Sequence, residues 1–216
     1  MASRGFREAD EFFGDAKNRQ SNTSSFVFDN LEPKIWLAES LALQGDKEAI
    51  QVVEEFESEI KERFSRLDEL IVPTQYLYRA CVARYVVKPD ETLVLHLNEL
   101  IEILSMEHFK GTQTHLLGEV RSLLGMTYLK LGRTFRAQRM LKSSFASLQS
   151  IKNPRPQTNQ AIIDAGERLA HFHLLTNANE DAERVRESIR EVEPNLENIP
   201  AFSRELVDRT LTTDSK

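Results

Sequence analysis

The sequence predicts an all-α fold built from pairs of antiparallel helices, and three observations support this prediction. Glycine and proline are scarce, with 8 and 7 residues in 216, while the helix-favouring leucine, glutamate, alanine and arginine are abundant. Apolar residues recur at steps of three and four residues through most of the chain. Short segments rich in glycine, asparagine or proline separate these stretches, as the turns of helical hairpins do.

The first predicted pair of helices lies between Pro33 and Pro73. Proline favours the first turn of a helix, so Pro33 marks the start, and Gln44-Gly45-Asp46 forms the turn between the two helices. We expect the second helix to end at Val72-Pro73, because a residue before proline disfavours helical backbone. The predicted apolar sides are Trp36, Leu37, Leu41 and Leu43 in the first helix, and Ala49, Val52, Val53, Phe56, Ile60, Phe64 and Leu67 in the second.

The second predicted pair starts near Thr74 and turns at Lys88-Pro89-Asp90. Asp90 is a predicted N-cap, whose carboxylate accepts a hydrogen bond from an N–H group of the first helical turn. The apolar stripes are Tyr78, Cys81, Val82 and Tyr85 before the turn, and Leu93, Leu97, Leu100, Ile101 and Leu104 after it.

Two further pairs of helices complete the repeated pattern. The third pair runs from about residue 113 to about residue 150 and turns at Gly132. The segment Asn153-Pro154-Arg155-Pro156 then breaks the helix. The fourth pair runs from about residue 158 to about residue 192 and turns at Asn177-Ala178-Asn179.

A short closing helix is expected from Pro200, where it would cover the apolar flank of the last pair. We therefore predict a helical domain over residues 31–212, a flexible N-terminal tail over 1–30 and a C-terminal tail over 213–216. The apolar side of the closing helix comprises Phe202, Leu206, Val207 and Leu211.

The third pair resembles the tetratricopeptide repeat (TPR), in which a Leu-Gly pair precedes an aromatic residue, a turn glycine and an alanine. The chain has Leu124, Gly125, Tyr128, Gly132 and Ala137 at the corresponding spacing. The resemblance implies a right-handed α-solenoid of about four antiparallel hairpins plus a C-terminal capping helix. The hairpins here begin about 40 residues apart, against 34 in a TPR, so the fold is described as TPR-like.

The fourth pair carries part of the same motif. Ala170 takes the place of the small residue, and His173 stands where the aromatic residue belongs. Ala182 and Pro194 are twelve residues apart, as in the second helix of a TPR. The resemblance covers residues 118–194 by motif and the earlier helices by fold alone.

The resemblance implies a concave groove, lined by the first helix of each hairpin, that holds a peptide or a helix. One TPR class uses this groove to clamp the C-terminal carboxylate of heat-shock chaperones with lysine, asparagine and arginine. The matching positions here hold Ser122, Met126 and Glu167, and because an acid would repel a carboxylate, we reject a chaperone clamp. The implied groove residues are Glu119, Ser122, Met126, Leu129 and Lys130 in the third hairpin, and Asp164, Glu167, His171, Leu174 and Leu175 in the fourth.

No acidic residue occurs between Glu119 and Asp164, although the chain as a whole has a net charge of -6. The predicted helix from residue 134 is amphipathic: its apolar side comprises Ala137, Leu141, Phe145 and Leu148, and its basic side Arg133, Arg136, Arg139 and Lys142. A solvated helix usually mixes both signs, since acid–base pairs stabilise it. We therefore predict either that this basic surface docks an acidic segment or phosphate groups, or that acidic neighbours such as residues 54–62 balance it.

Glycines stand seven residues apart at Gly111, Gly118, Gly125 and Gly132. Gly118 and Gly125 lie inside a predicted helix, where each costs about 1 kcal/mol relative to alanine. We expect close helix packing there, with Ala137 opposite Gly125; close approach of a ligand backbone is the alternative.

The sequence has no glycine-rich phosphate loop, nucleophile elbow or paired-cysteine metal site. His171 and His173 face different sides of a helix, so they cannot share a metal ion. We expect a protein that is not an enzyme and that uses no metal and no cofactor. A single cysteine, Cys81, indicates a reducing compartment, and no apolar run reaches the ~20 residues of a membrane span. The expected location is therefore cytoplasmic, with the nucleus as the alternative.

The expected function is a non-catalytic scaffold or adaptor, a subunit of a larger complex that binds a protein partner through the groove and the basic surface. Phe12 and Phe13, next to acidic residues in the N-terminal tail, are candidate anchors on the domain or on a partner. One alternative is a nucleic-acid-associated factor that uses the basic belt 121–155, although the net charge of -6 argues against it. Another is an unrecognised helical enzyme.

Overall fold

The computed structural model describes residues 31–63, 71–106 and 114–192, and within these ranges it contains eight helices and no strand. The prediction of an all-α fold is therefore confirmed. The N-terminal tail with Phe12 and Phe13, the end of the second predicted helix with Phe64 and Leu67, and the closing helix from Pro200 lie outside the described residues. The helices are α1 (Glu32–Leu43), α2 (Glu48–Arg63), α3 (Ile71–Val87), α4 (Glu91–Leu104), α5 (Thr114–Lys130), α6 (Thr134–Gln149), α7 (Pro156–Leu175) and α8 (Asn179–Arg190).

The chain divides into two compact units between Lys88 and Pro89. The first unit contains α1, α2 and α3, each of which contacts the other two. Its core includes Ile35, Leu41, Val53, Phe56 and Ile60, all at most 2% exposed.

The predicted apolar side of α1 is wrong at Trp36, whose exposed fraction is 45%. Because α1 packs against both α2 and α3, most of its circumference is covered, including the polar Glu39 and Ser40. Trp36 lies on the remaining side. The two carboxylate oxygens of Glu39 accept hydrogen bonds of 2.8 and 2.6 Å from Arg79 of α3, so a charged pair lies beside the apolar core.

The segment Val72-Pro73 does not end α2, as the sequence suggested, but lies in the first turn of α3, which begins at Ile71. The first four N–H groups of a helix have no partner within the helix, so the missing N–H of Pro73 removes no bond there. A proline within a helical sequence pattern can therefore mark the start of a helix as well as the end of one.

In the second unit, α5 contacts α4, α6 and α7, while α7 also contacts α6 and α8. The carboxylate of Asp90 accepts a hydrogen bond of 3.1 Å from the N–H of Leu93, which confirms the predicted N-cap of α4. Gly132 and Asn177 adopt positive φ angles of 72° and 58° at the turns before α6 and α8. No helix in the described ranges is both long and apolar enough to span a bilayer.

Glycines allow α5 and α6 to pack closely. A Cβ atom added to Gly118 would lie 2.5 Å from Cγ of Leu148, and one added to Gly125 would lie 2.7 Å from Cγ of Leu141. The hydroxyl of Ser144 donates a hydrogen bond of 2.6 Å to the carbonyl oxygen of Gly118 across this contact. The prediction of close packing at these glycines is confirmed, but the residue nearest to Gly125 is Leu141 rather than Ala137.

Candidate interaction surface

The structure buries part of the implied groove. Ser122 and Met126 have no exposed surface, and Asp164 is only 9% exposed. The expectation that Met126 lines an open groove is therefore wrong: three helices, α4, α6 and α7, contact α5 and leave little of its surface open.

The other groove candidates lie nearer the surface. Leu174 and Leu175, at the end of α7, are 37% and 50% exposed. Their role in binding a partner stays a prediction, as do the roles of the half-buried residues Leu129, Lys130, Glu167 and His171.

A polar cluster lies where α5 meets α7. A guanidinium nitrogen of Arg168, a residue only 1% exposed, donates a hydrogen bond of 3.3 Å to the hydroxyl of Ser122. The side-chain amide of Gln160 donates to the carboxylate of Asp164. The sequence analysis missed Arg168, although its position four residues after Asp164 places both on the same side of α7.

Glu119 belongs to this cluster and is held in an unusual protonation state. Its pKa is raised from 4.5 to about 8, first by burial and then by the negative charge of Asp164, with Arg168 opposing both effects. Glu119 is therefore mostly neutral at pH 7, which allows it to lie half-buried beside a second carboxylate.

The amphipathic character predicted for α6 is confirmed. Its apolar residues Ala137, Leu141, Phe145 and Leu148 are buried. Arg136, Arg139 and Lys142 are exposed, and Arg133 at the start of the helix is half-buried.

Arg133 is balanced by an acidic neighbour. Its two terminal nitrogens donate hydrogen bonds of 3.0 and 2.5 Å to the two carboxylate oxygens of Glu91 in α4. Arg136, Arg139 and Lys142 form no ion pair with any acid in the described part of the chain. The hypothesis of internal balancing therefore holds for one of the four cations of the basic surface.

Aromatic residues flank these cations. The guanidinium carbons of Arg133 and Arg136 lie 5.9 and 5.8 Å from the centre of the Tyr128 ring, within the range of a cation–π contact. Phe135 is 79% exposed in the first turn of α6. The sequence analysis missed Phe135, but its spacing of four residues from Arg139 and seven from Lys142 places it on the basic side.

Among the residues that the structure describes, no group of three or more histidine, cysteine, aspartate or glutamate side chains lies close enough to hold a metal ion. Comparison with protein-family models, with curated proteins and with solved structures finds no match to this chain.

Proposed function

We propose that the protein is a non-catalytic adaptor that binds an acidic segment of a partner protein through the exposed cations of α6. The adaptor is a TPR-like, right-handed solenoid, works as a subunit of a larger complex, and is located in the cytoplasm or the nucleus. The partly exposed residues of α5 and α7 supply further contacts along the groove.

One observation carries this proposal: Arg136, Arg139 and Lys142 are exposed together on one helix and have no acidic partner among the described residues. Three like charges on adjacent turns repel one another, and a helix gains stability when acids alternate with them. The chain is rich in acidic residues, with a net charge of -6, yet no acidic residue lies between Glu119 and Asp164. An acidic partner provides the missing counter-charges.

Helix packing supports the TPR-like part of the proposal. Helix α6 contacts α5 before it and α7 after it, and α5 also contacts α7. Contacts between successive first helices, with the second helix packed beside them, are the arrangement expected of stacked hairpins. Gly118 and Gly125 lie at the α5–α6 contact, as the small residues of a TPR-like pair would.

A protein partner fits better than nucleic acid for the belt 121–155. Arg121 is half-buried and its pKa is lowered by burial, and Arg133 is paired with Glu91. The belt thus has fewer available cations than its sequence suggests, and affinity for a nucleic-acid backbone grows with the number of phosphates that cations neutralise.

Replacing Arg136 and Arg139 with glutamate should leave the fold intact but weaken partner binding. Surface changes usually alter stability by no more than ~0.5 kcal/mol, and loss of the cation–π contact between Arg136 and Tyr128 adds about 0.5–1 kcal/mol. The remaining binding should depend less on salt, because fewer opposite charges meet at the contact. Affinity capture from the cells that make the protein, at two salt concentrations, with mass spectrometry and a melting curve, measures both effects.

The matched control is Lys152→Glu with Arg155→Glu, which changes the charge equally at two exposed residues between α6 and α7. The control should retain the partner and its salt dependence. An unchanged partner list and salt response in the Arg136→Glu, Arg139→Glu variant would overturn the proposal. Loss of binding to ribonuclease-sensitive material in both variants would favour a nucleic-acid partner instead.

A further inference from the structure

We infer that Phe135 is the apolar anchor of the basic surface, and that the surface docks an acidic peptide segment carrying one large apolar side chain. This inference rests on the proposed function and names the chemistry of its partner. It depends on three observations: the exposure of Phe135, its alignment with the cations, and the placement of Arg136 beside it.

Phe135 has the largest exposed fraction, 79%, of the large apolar residues in the described part of the chain. A phenylalanine ring exposes a large apolar area to water, and its removal from water on binding is favourable. Interfaces often contain such an aromatic anchor surrounded by polar and charged residues.

The anchor and the cations lie on one face of α6. Arg139 follows Phe135 by four residues and Lys142 by seven, so the three side chains align over two turns. At a rise of 1.5 Å per residue, these positions span about 10 Å along the helix. Two or three turns of a partner helix, or a short extended segment, cover that distance.

Arg136 flanks this face near its N-terminal end, one residue after Phe135. Its guanidinium carbon lies 5.8 Å from the centre of the Tyr128 ring, a contact that limits the conformations of the arginine. Phe135, Arg136 and the preceding Gly132, Arg133 and Thr134 line an open depression with a volume of about 550 Å³. In the proposed complex an apolar side chain of the partner packs against the Phe135 ring at this shallow depression, and carboxylates of neighbouring partner residues meet Arg136, Arg139 and Lys142.

Charge identifies the occupant as an acidic segment. Arg133 and Glu91 show how a carboxylate meets an arginine in this region, with two parallel hydrogen bonds. The net charge of -6 disfavours an extended polyanion at long range, whereas a short acidic segment meets mainly the local cations.

Site-specific crosslinking tests what occupies the surface. The full chain is made with a photoreactive benzoylphenylalanine in place of Phe135, irradiated in cells, and the crosslinked peptide is mapped by mass spectrometry. The expected product is a segment of another protein with several acidic residues flanking a large apolar one. A crosslink to nucleic acid, to a neutral or basic segment, to a second copy of the chain or to the chain itself would overturn the inference, as would no crosslink.

A synthetic peptide of the mapped segment then tests the anchor. Phe135→Ala should weaken binding of this labelled peptide roughly tenfold or more, as expected of an aromatic hot spot, and Phe135→Trp should retain most of it. Leu95→Ala, at a residue of α4 that is 63% exposed, is the matched control and should have no effect. If binding is lost in the Arg136→Glu, Arg139→Glu variant but not in Phe135→Ala, the role of Phe135 as an anchor is wrong and the proposed function stands. If binding is retained in both variants, the anchor and the proposed function are both wrong.

Discussion

Replacing Gly125 with leucine should destabilise the second unit by about 1–3 kcal/mol or more, the typical cost of overpacking. The first added carbon alone would lie 2.7 Å from Cγ of Leu141 and 3.2 Å from its backbone nitrogen. The side chain can move away, but the backbone can do so only by separating α5 from α6. Thermal and urea unfolding of the full chain measure the loss.

Three further variants show whether the loss of stability in Gly125→Leu comes from the contact between α5 and α6. Ala146→Leu adds a similar side chain at an exposed position of α6 and should leave stability nearly unchanged. Leu141→Ala should partly rescue Gly125→Leu, because it removes the nearer clash and leaves the backbone contact. Ala137, which has no exposed surface, should also tolerate no larger residue. If Gly125→Leu has the same melting temperature as the parent protein, the close contact described between α5 and α6 does not exist.

The variant Glu119→Gln should be more stable than the parent protein at pH 8 and nearly equal to it at pH 4.5. The folded-state pKa of about 8 lies above the ordinary 4.5, so between these values the folded chain holds a proton that the unfolded chain has released. The stability that depends on this proton is complete below pH 4.5 and is lost as the pH rises to 8. Glutamine stays neutral, so the difference between the variants should reach roughly 2–4 kcal/mol at the upper end.

Urea unfolding at several pH values between 4.5 and 8 measures this difference. Glu102→Gln, which removes the carboxyl group of an exposed residue in α4, is the control for a general change in charge. Parallel stability curves for Glu119→Gln and the parent protein over this range would contradict the proposed protonation of Glu119.

The sequence was sufficient to predict the turns and the cap, because Gly132, Asn177 and Asp90 act through their own backbone or their immediate neighbours. It was also sufficient for α6, whose outer side stays open and whose apolar stripe is consequently distinct. It was insufficient where several helices cover one helix. At Trp36 and Met126, burial depends on which neighbours pack on each side, and periodicity within a single helix does not contain that information.

Arg168 of the polar cluster was missed, and the burial of the cluster was not predicted. The TPR resemblance placed Glu119, Ser122 and Asp164 in one groove, but nothing local to α5 or α7 indicates that Arg168 covers Ser122 from a distance of 46 residues along the chain. Phe135 could have been found from the sequence. Its position on the helix follows from its spacing to Arg139 and Lys142, and an aromatic residue on a basic helix side is unusual.

The two close glycine contacts fix the axial register of the α5–α6 hairpin. Gly118 lies opposite Leu148 and Gly125 opposite Leu141, so the spacing is seven residues on both antiparallel helices. Each leucine fills the space left by a missing side chain, and sliding one helix by a turn would bring both leucines onto larger residues. The hairpin can therefore tilt as one body or unfold locally, but its helices cannot slide past each other. The distance along α6 from Phe135 to Leu148, which lies against Gly118, is accordingly set by the helix itself, so the position of Phe135 relative to the opposite end of α5 is fixed by the same register.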